Sequence, residues 1–264
     1  MIIEKGIPDF MTVSVGSCQG DRTYQQDRLA YFTRENTFLG IVCDGMGGME
    51  GGEEASTCAV ETLRECFRKE IWTQLHPAEF LYRSACQMDM EVFELADEAG
   101  RPLKCGTTAA AVYIEGDRLF WMSVGDSKIY LYRNGIMQPL TREHNYLMLL
   151  NQYLTEGRIK EEEYEKELSR RDVLVSYIGM GQLPFIDLSK ESIQLEEGDQ
   201  LLICSDGLYR AIPEDQIAVL MTREKDAVYG MADAGLLLQA AEQAGQRPLD
   251  NITAMTVLFN GITM

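Results

Sequence analysis

Three runs near the start of the chain carry Val, Ile, Phe and Tyr at strand-like density between polar or glycine turns, over 11–17, 27–34 and 37–43. The period then changes. From Glu53 to about Glu70, the residues Ala55, Ala59, Leu63, Cys66 and Phe67 fall on one helical face. A second helix is predicted over 77–98, with Pro77 in its first turn, Leu81, Ala85, Met88, Val92 and Leu95 as its stripe, and Gly100 at its end. Strand signals return at 107–114, 118–124 and 128–133, where Gly116-Asp117 and Asn134-Gly135 are turn dipeptides. The stretch 145–170 is polar, charged and in part helical; it reads either as a solvated helix or as an insertion beside a site. Strands at 190–195 and 199–204, helices at 213–221 and 224–244, and a strand at 252–259 complete the order. There is no regular βαβ alternation, so a doubly wound parallel sheet is excluded. Mostly antiparallel sheets with helices packed outside fit better, in an α+β domain spanning 1–264.

Composition narrows the function classes. Of 264 residues, 45% are hydrophobic, enough for a sizeable core, and the 25% that are charged exclude a disordered chain. The net charge of −18 argues against a nucleic-acid binder, which needs Lys and Arg to neutralise phosphates, and against docking on anionic membranes. An acidic protein that handles phosphate must gather positive charge locally, and metal ions would do so. The seven cysteines are odd in number, form no C-x-x-C pair and mostly sit in apolar runs as small hydrophobes. That predicts a reducing cytosol and no disulfide framework. Residues 1–10 lack the apolar core of a signal peptide, and no apolar run approaches the ~18 residues of a spanning helix. The expectation is a soluble, cytoplasmic protein with no membrane partner.

The chemistry sits in a recurring pattern of apolar runs that meet an aspartate. Leu39 to Cys43 runs into Asp44-Gly45, Trp121 to Val124 into Gly125-Asp126, and Leu201 to Ser205 into Asp206-Gly207. Asp27 opens one predicted strand and Asp250 precedes the last. A rigid strand fixes where its terminal side chain points, and glycine after the aspartate lets the backbone turn sharply. Carboxylates converging on one point repel each other, a conflict that a divalent cation resolves. With no histidine or cysteine at ligand spacing, the oxygen-only set points to Mg²⁺, Mn²⁺ or Ca²⁺ rather than Zn²⁺. One Asp-Gly pair alone is an ordinary turn; three apolar runs ending at Asp make the metal reading. The glycine-rich segment 44–52 fits neither the dinucleotide-binding nor the P-loop template.

In order along the chain stand Gly20-Asp-Arg-Thr-Tyr-Gln-Gln-Asp27, Asp44-Gly-Met-Gly-Gly48, Cys105-Gly-Thr-Thr108, Val124-Gly-Asp-Ser127, Leu140-Thr-Arg-Glu-His144, Cys204-Ser-Asp-Gly-Leu208 and Asp250-Asn-Ile-Thr253. Each is common by itself. The ordered set resembles the type 2C metal-dependent protein phosphatases, the PPM family, in its bacterial stand-alone form. The resemblance implies a four-layer α/β/β/α sandwich, two antiparallel sheets face to face with a helix pair on each outer side and the metals at one end. By the same resemblance, Asp44 would bridge two Mg²⁺ or Mn²⁺ ions, the Gly45 carbonyl would ligate one, and Asp206 and Asp250 would hold the other. Asp27 would orient metal-bound water, Asp126 matches the place that joins a third, weaker ion, and Arg22 matches the arginine that grips the substrate phosphate. A hydroxide bridging the metals would attack phosphoserine or phosphothreonine in line, with no covalent phosphoenzyme.

Three departures from the family pattern stand out. Met46 occupies the place where some members carry a histidine able to protonate the leaving group. Gln25 replaces an asparagine, and Gln26 an acidic residue that would add a metal ligand. His144 is read as a cap or turn residue and His76 as exposed. Rival readings are a phosphoprotein-binding relative without activity, a phosphatase of small molecules or signalling nucleotides, and an anti-sigma-factor phosphatase. The retained Asp27, Asp44, Asp206 and Asp250 favour an active, monomeric enzyme acting on phosphoproteins and opposing a serine/threonine kinase. The stretch 145–170 aligns with the family's variable flap.

Overall fold

Alternation within the strands divides the molecule into layers. The computed structural model describes residues 2–3, 6–48, 51–69, 74–222, 233–244 and 247–262. One sheet is built from β1 (Ile2–Ile3), β3 (Asp27–Arg34), β4 (Thr37–Gly47), β6 (Ala109–Glu115), β7 (Arg118–Val124) and β10 (Asp187–Leu188), in that spatial order. β5 (Cys105–Thr107) pairs with β4, and β11 (Ile193–Gln194) pairs with β7. The second sheet runs β2 (Met11–Cys18), β13 (Ile252–Phe259), β12 (Gln200–Cys204), β8 (Lys128–Arg133) and β9 (Ile136–Pro139). Every pairing is antiparallel except the parallel β1–β3 contact.

Both faces of each sheet are apolar, so each must be covered twice. On β3, Leu29 and Tyr31 face the second sheet while Ala30 and Phe32 face helices α1 (Gly51–Arg68) and α2 (Pro77–Phe93). On β12, Leu201 and Ile203 face the first sheet while Leu202 and Cys204 face α5 (Asp206–Ala211), α6 (Glu214–Leu220) and α7 (Ala234–Gln243). Three apolar clusters thus separate four layers, helix, sheet, sheet, helix. The α+β sandwich expected from the resemblance is the fold observed. Between β9 and β10 in the chain, α3 (Tyr146–Thr155) and α4 (Glu161–Glu167) form a side excursion with one buried residue, Leu150. All seven cysteines are free, and Cys43, Cys66 and Cys204 are buried in the apolar clusters.

Several boundaries differ from the reading of the sequence. The second helix ends at Phe93 rather than near 98, because Asp97 Oδ1 accepts from the Ala99 and Arg101 backbone amides and turns the chain. The strand expected at 190–195 is two short pairings on β7, at 187–188 and 193–194. β4 continues through Asp44 to Gly47 instead of ending there, since β5 gives its last residues a partner. The stretch 145–170 is largely helical. The last predicted helix, 224–244, is seen as Ala234–Gln243, and 223–232 lies outside the described residues.

Register carries the functional side chains to one end. Asp27 lies directly across from Asp44 in the first sheet. In the second sheet, Cys204 lies across from both Lys128 and Ala254. Asp126, Asp206 and Asp250 lie within four residues of those three positions, so all five aspartates meet at the same edge of the sandwich.

Candidate active site

A cavity of about 360 Å³ opens at that edge, and its wall includes Arg22, Asp44, Gly45, Asp126, Asp206 and Asp250. Every expected site residue except Asp27 lines it. Asp27 lies beneath, 2% exposed, where its Oδ2 accepts a 2.8 Å hydrogen bond from Ser205 Oγ. Its other carboxylate oxygen is buried and has no hydrogen-bond partner. Burial, more than the nearby charges of Asp206 and Asp250, pushes Asp27 up to about 7.

Asp44 and Asp206 line the cavity together, close enough to perturb one another. Both are raised, first by burial; Asp44 is also raised by Asp27 and Asp206, whereas Arg210 opposes the rise at Asp206. Neighbouring carboxylates resist ionising together unless a cation offsets their charge. Asp126 is pushed up to about 7 by burial and then by Asp206, with Arg210 opposing. Asp250 Oδ2 lies 2.6 Å from Arg22 Nη2, and its Oδ1 accepts from the Asn251 amide. The Asp44 amide donates to Thr108 Oγ1 at 2.9 Å, which fixes the strand beneath the carboxylate.

Glycine follows Asp44 for space rather than for a turn. Gly45 continues the strand, and a side chain there would collide with the Gly52 carbonyl at the start of α1. Gly20, at φ +61°, lets the loop that carries Arg22 lie against the Asp250 carbonyl. That loop is stitched down by Asn251, whose Nδ2 donates to the carbonyls of Gln19 and Tyr24 and whose Oδ1 accepts from the Gln26 amide. Gln25, in place of the family's asparagine, accepts from the Asp27 amide and donates to the Cys18 carbonyl. Gln26 lines the cavity but adds no charge to it.

Among the described residues, neither histidine lines the cavity. His144 is fully buried; its Nδ1 accepts from the Gly125 amide, and its own amide donates to the Gly125 carbonyl, so it braces the turn that carries Asp126. Its Nε2 lies 3.4 Å from Asp187 Oδ1. His76 is exposed and caps α2, accepting from the Ala78 amide.

Four residues were given no role in the reading of the sequence: Arg210 and Asp172, which no motif contained, and Ser205 and Thr108, which stood in motifs without one. Arg210 lies on the helix that starts at Asp206 and Ser205 is its N-cap, where only a strand end was read. The i,i+4 spacing of Asp206 and Arg210 is the signal that was there to find. Asp172 reaches the cavity wall from the far side of the 145–170 stretch.

The donor set suits a hard divalent cation, being carboxylate and carbonyl oxygen with neither thiol nor imidazole on the wall; the one sulfur there is the weakly ligating thioether of Met46. The partnerless buried oxygen of Asp27 and the raised Asp44–Asp206 pair fit the same chemistry. The carboxylates surround the cavity rather than close on one point. Among the described residues, no three His, Cys, Asp or Glu side chains are drawn together tightly enough to hold an ion. Guanidiniums instead draw three of them aside, Arg22 taking Asp250 and Arg210 taking Asp206 and Asp126.

Residues 16–228 match the family model described as protein phosphatase 2C. The chain is 31% identical over 243 residues to the protein phosphatase PhpP of Streptococcus pneumoniae, covering 90% of this chain and 93% of that protein. It is 27% identical over 241 residues to the serine/threonine phosphatase stp of Listeria monocytogenes, covering 89% and 90% of the two. The solved serine/threonine phosphatase of S. agalactiae matches with a TM-score of 0.76 and 29% identity, covering 94% of this chain and 99% of that one.

Proposed function

Since the chain belongs to the protein phosphatase 2C family and is a serine/threonine phosphatase, we propose that its acidic cavity binds two divalent cations, Mg²⁺ or Mn²⁺. There it hydrolyses phosphoserine and phosphothreonine in proteins by attack of water on phosphorus, without a covalent phosphoenzyme. The observation that supports this reading is the gathering of Asp44, Asp126, Asp206, Asp250 and Arg22 on the wall of one cavity, with Asp27 buried beneath it and one of its carboxylate oxygens unpartnered.

Asp44, the Gly45 carbonyl, Asp206 and Asp250 would hold the ions. Bound there, the ions would supply positive charge and Lewis acidity to a water nucleophile and to the phosphoryl oxygens. Asp27, tied to Ser205 beneath the pair, would orient water through its remaining oxygen. Arg22 is 57% exposed, so its guanidinium can leave Asp250 and turn to an incoming phosphate, presenting paired donors to two oxygens. None of the seven cysteines lines the cavity, in keeping with chemistry that needs no thiol.

The substrates would be proteins phosphorylated by a serine/threonine kinase that this enzyme opposes in the cytoplasm; the free thiols suit such a reducing compartment. Among the described residues, no helix is long and apolar enough to cross a membrane. The α3–α4 excursion would act as a flap on one catalytic unit. Its neck is closed by the Asn145–Leu174 bridge, and Asp172 and Leu174 continue from it into the cavity wall.

The test is hydrolysis of a phosphothreonine peptide with Mn²⁺ or with chelator. Activity should require metal. It should fall by about 100-fold or more in Asp206→Ala, the scale of losing one transition-state stabiliser. In Arg22→Ala, kcat/KM should fall by roughly 10–100-fold, the worth of a charged hydrogen-bond pair. Full activity in chelator, or in Asp206→Ala, would defeat the reading.

A further inference from the structure

Arg210 stands one helical turn beyond Asp206 on α5. Its Nε lies 2.9 Å from Asp206 Oδ2 and its Nη2 3.3 Å from Asp126 Oδ2, so a single guanidinium spans two buried carboxylates. The placement is built in at three levels. α5 begins at Asp206, so the i,i+4 spacing sets both side chains on one face. Tyr209, the neighbour of Arg210, donates from its hydroxyl to the Asp126 carbonyl at 3.0 Å, tying the same helical turn to the loop that carries Asp126. Lys128 Nζ rests over the Tyr209 ring at 4.0 Å and holds that ring against the sheet end. From the opposite side, His144 braces Gly125 at both its amide and its carbonyl.

Two buried carboxylates facing one another call for a cation. Here the chain supplies one that cannot lose its proton and whose planar fork matches two oxygens. A divalent ion liganded by Asp126 and Asp206 would compete for the oxygens that Arg210 already uses, and would lie against a fixed positive charge.

We propose that Arg210 is a built-in cation standing where a third metal ion would bind, so that Asp126 partners Arg210 rather than a metal and the enzyme works with two ions. The inference rests on the reading of the cavity as a site for a cation pair, and it reverses the role that the family resemblance gives Asp126.

Counting bound Mn²⁺ by equilibrium dialysis with elemental analysis tests it without reference to activity. Wild type and Asp126→Asn should both saturate with two ions. Arg210→Gln should gain a third, weaker class of site, which the double variant Arg210→Gln/Asp126→Asn should lose. Arg210→Lys, which keeps the charge, should remain at two. A third ion in wild type that Asp126→Asn removes would overturn the proposal, as would a folded Arg210→Gln that stays at two. If Arg210→Gln fails to fold, as a melting curve would show, wild type against Asp126→Asn and Arg210→Lys still decides. Absence of any saturable ion in wild type, or full retention of ions in Asp206→Asn, would instead bring down the cation-pair reading itself.

Discussion

At the scale of single residues, the site is a collection of acids held against their preference for water. Asp27 titrates at about 7 in the fold, against the ordinary carboxylate value of 3.8, chiefly because it is buried. The fold therefore favours its neutral form. Its contribution to stability is fully present below the unfolded value and is lost as pH rises through about 7, at about 1.4 kcal/mol per pH unit in between. In chelator, wild type should lose stability between about pH 4 and pH 7, the window in which this group is ionised in the unfolded chain and still protonated in the fold. Asp27→Asn keeps an acceptor for Ser205 and carries no charge, so its loss should be smaller. The gap should read as roughly 2–4 °C of melting temperature per kcal/mol. Parallel profiles for the two proteins would show that Asp27 does not carry the effect. The acids themselves could be read from the sequence because each sits where an apolar run stops or starts. Arg210 could not be read that way, since the segment after Cys204 looked like a strand end and its partner Asp126 lies far away in sequence. Asp172 gave no signal, because only the path of the 145–170 excursion brings it to the cavity.

At the scale of elements, strand periodicity was the strong signal. β3, β4, β6, β7, β8, β12 and β13 were all legible, because each buries both faces and so reads as a dense apolar run. Short pairings were weaker: β11 fell within the strand read at 190–195, but β5, β9 and β10, of two to four residues each, take their existence from neighbours rather than from pattern. The α3–α4 excursion was ambiguous for a related reason. It buries almost nothing, so its amino acids answer to solvent and to whatever docks on it. That argues it can be removed cheaply. The Tyr146 amide donates to the Val173 carbonyl and the Leu147 amide to the Arg171 carbonyl, so the neck closes without the helices. Replacing residues 148–170 with a short Gly-Ser linker should leave the melting temperature nearly unchanged. It should alter kcat/KM on phosphoproteins by about an order of magnitude, ~1.4 kcal/mol, with little effect on a small aryl phosphate that reaches only the cavity. Equal effects on both substrates would remove the flap from substrate choice and make it part of the catalytic frame.

At the scale of the whole molecule, the net charge of −18 and the cluster of buried acids act in the same direction. Both oppose the compact state at neutral pH, and both are relieved by bound cations, one through general screening and the other through a specific site. The two can be separated. An ion that binds only the assembled aspartates stabilises the fold by about 2.7 kcal/mol when present at a hundred times its dissociation constant. For a chain of this size that corresponds to a rise of roughly 5–11 °C in melting temperature. Millimolar Mn²⁺ should therefore raise the melting temperature of wild type well beyond the effect of NaCl at matched ionic strength. Asp206→Asn should lose the excess and keep the salt response. Because the ions displace protons from Asp44, Asp206 and Asp27, the excess should also grow as pH rises, being smallest where those groups are already neutral. A rise that NaCl reproduces in full would assign the stabilisation to the surface charge, and the acidic cavity would then owe its arrangement to Arg22 and Arg210 alone.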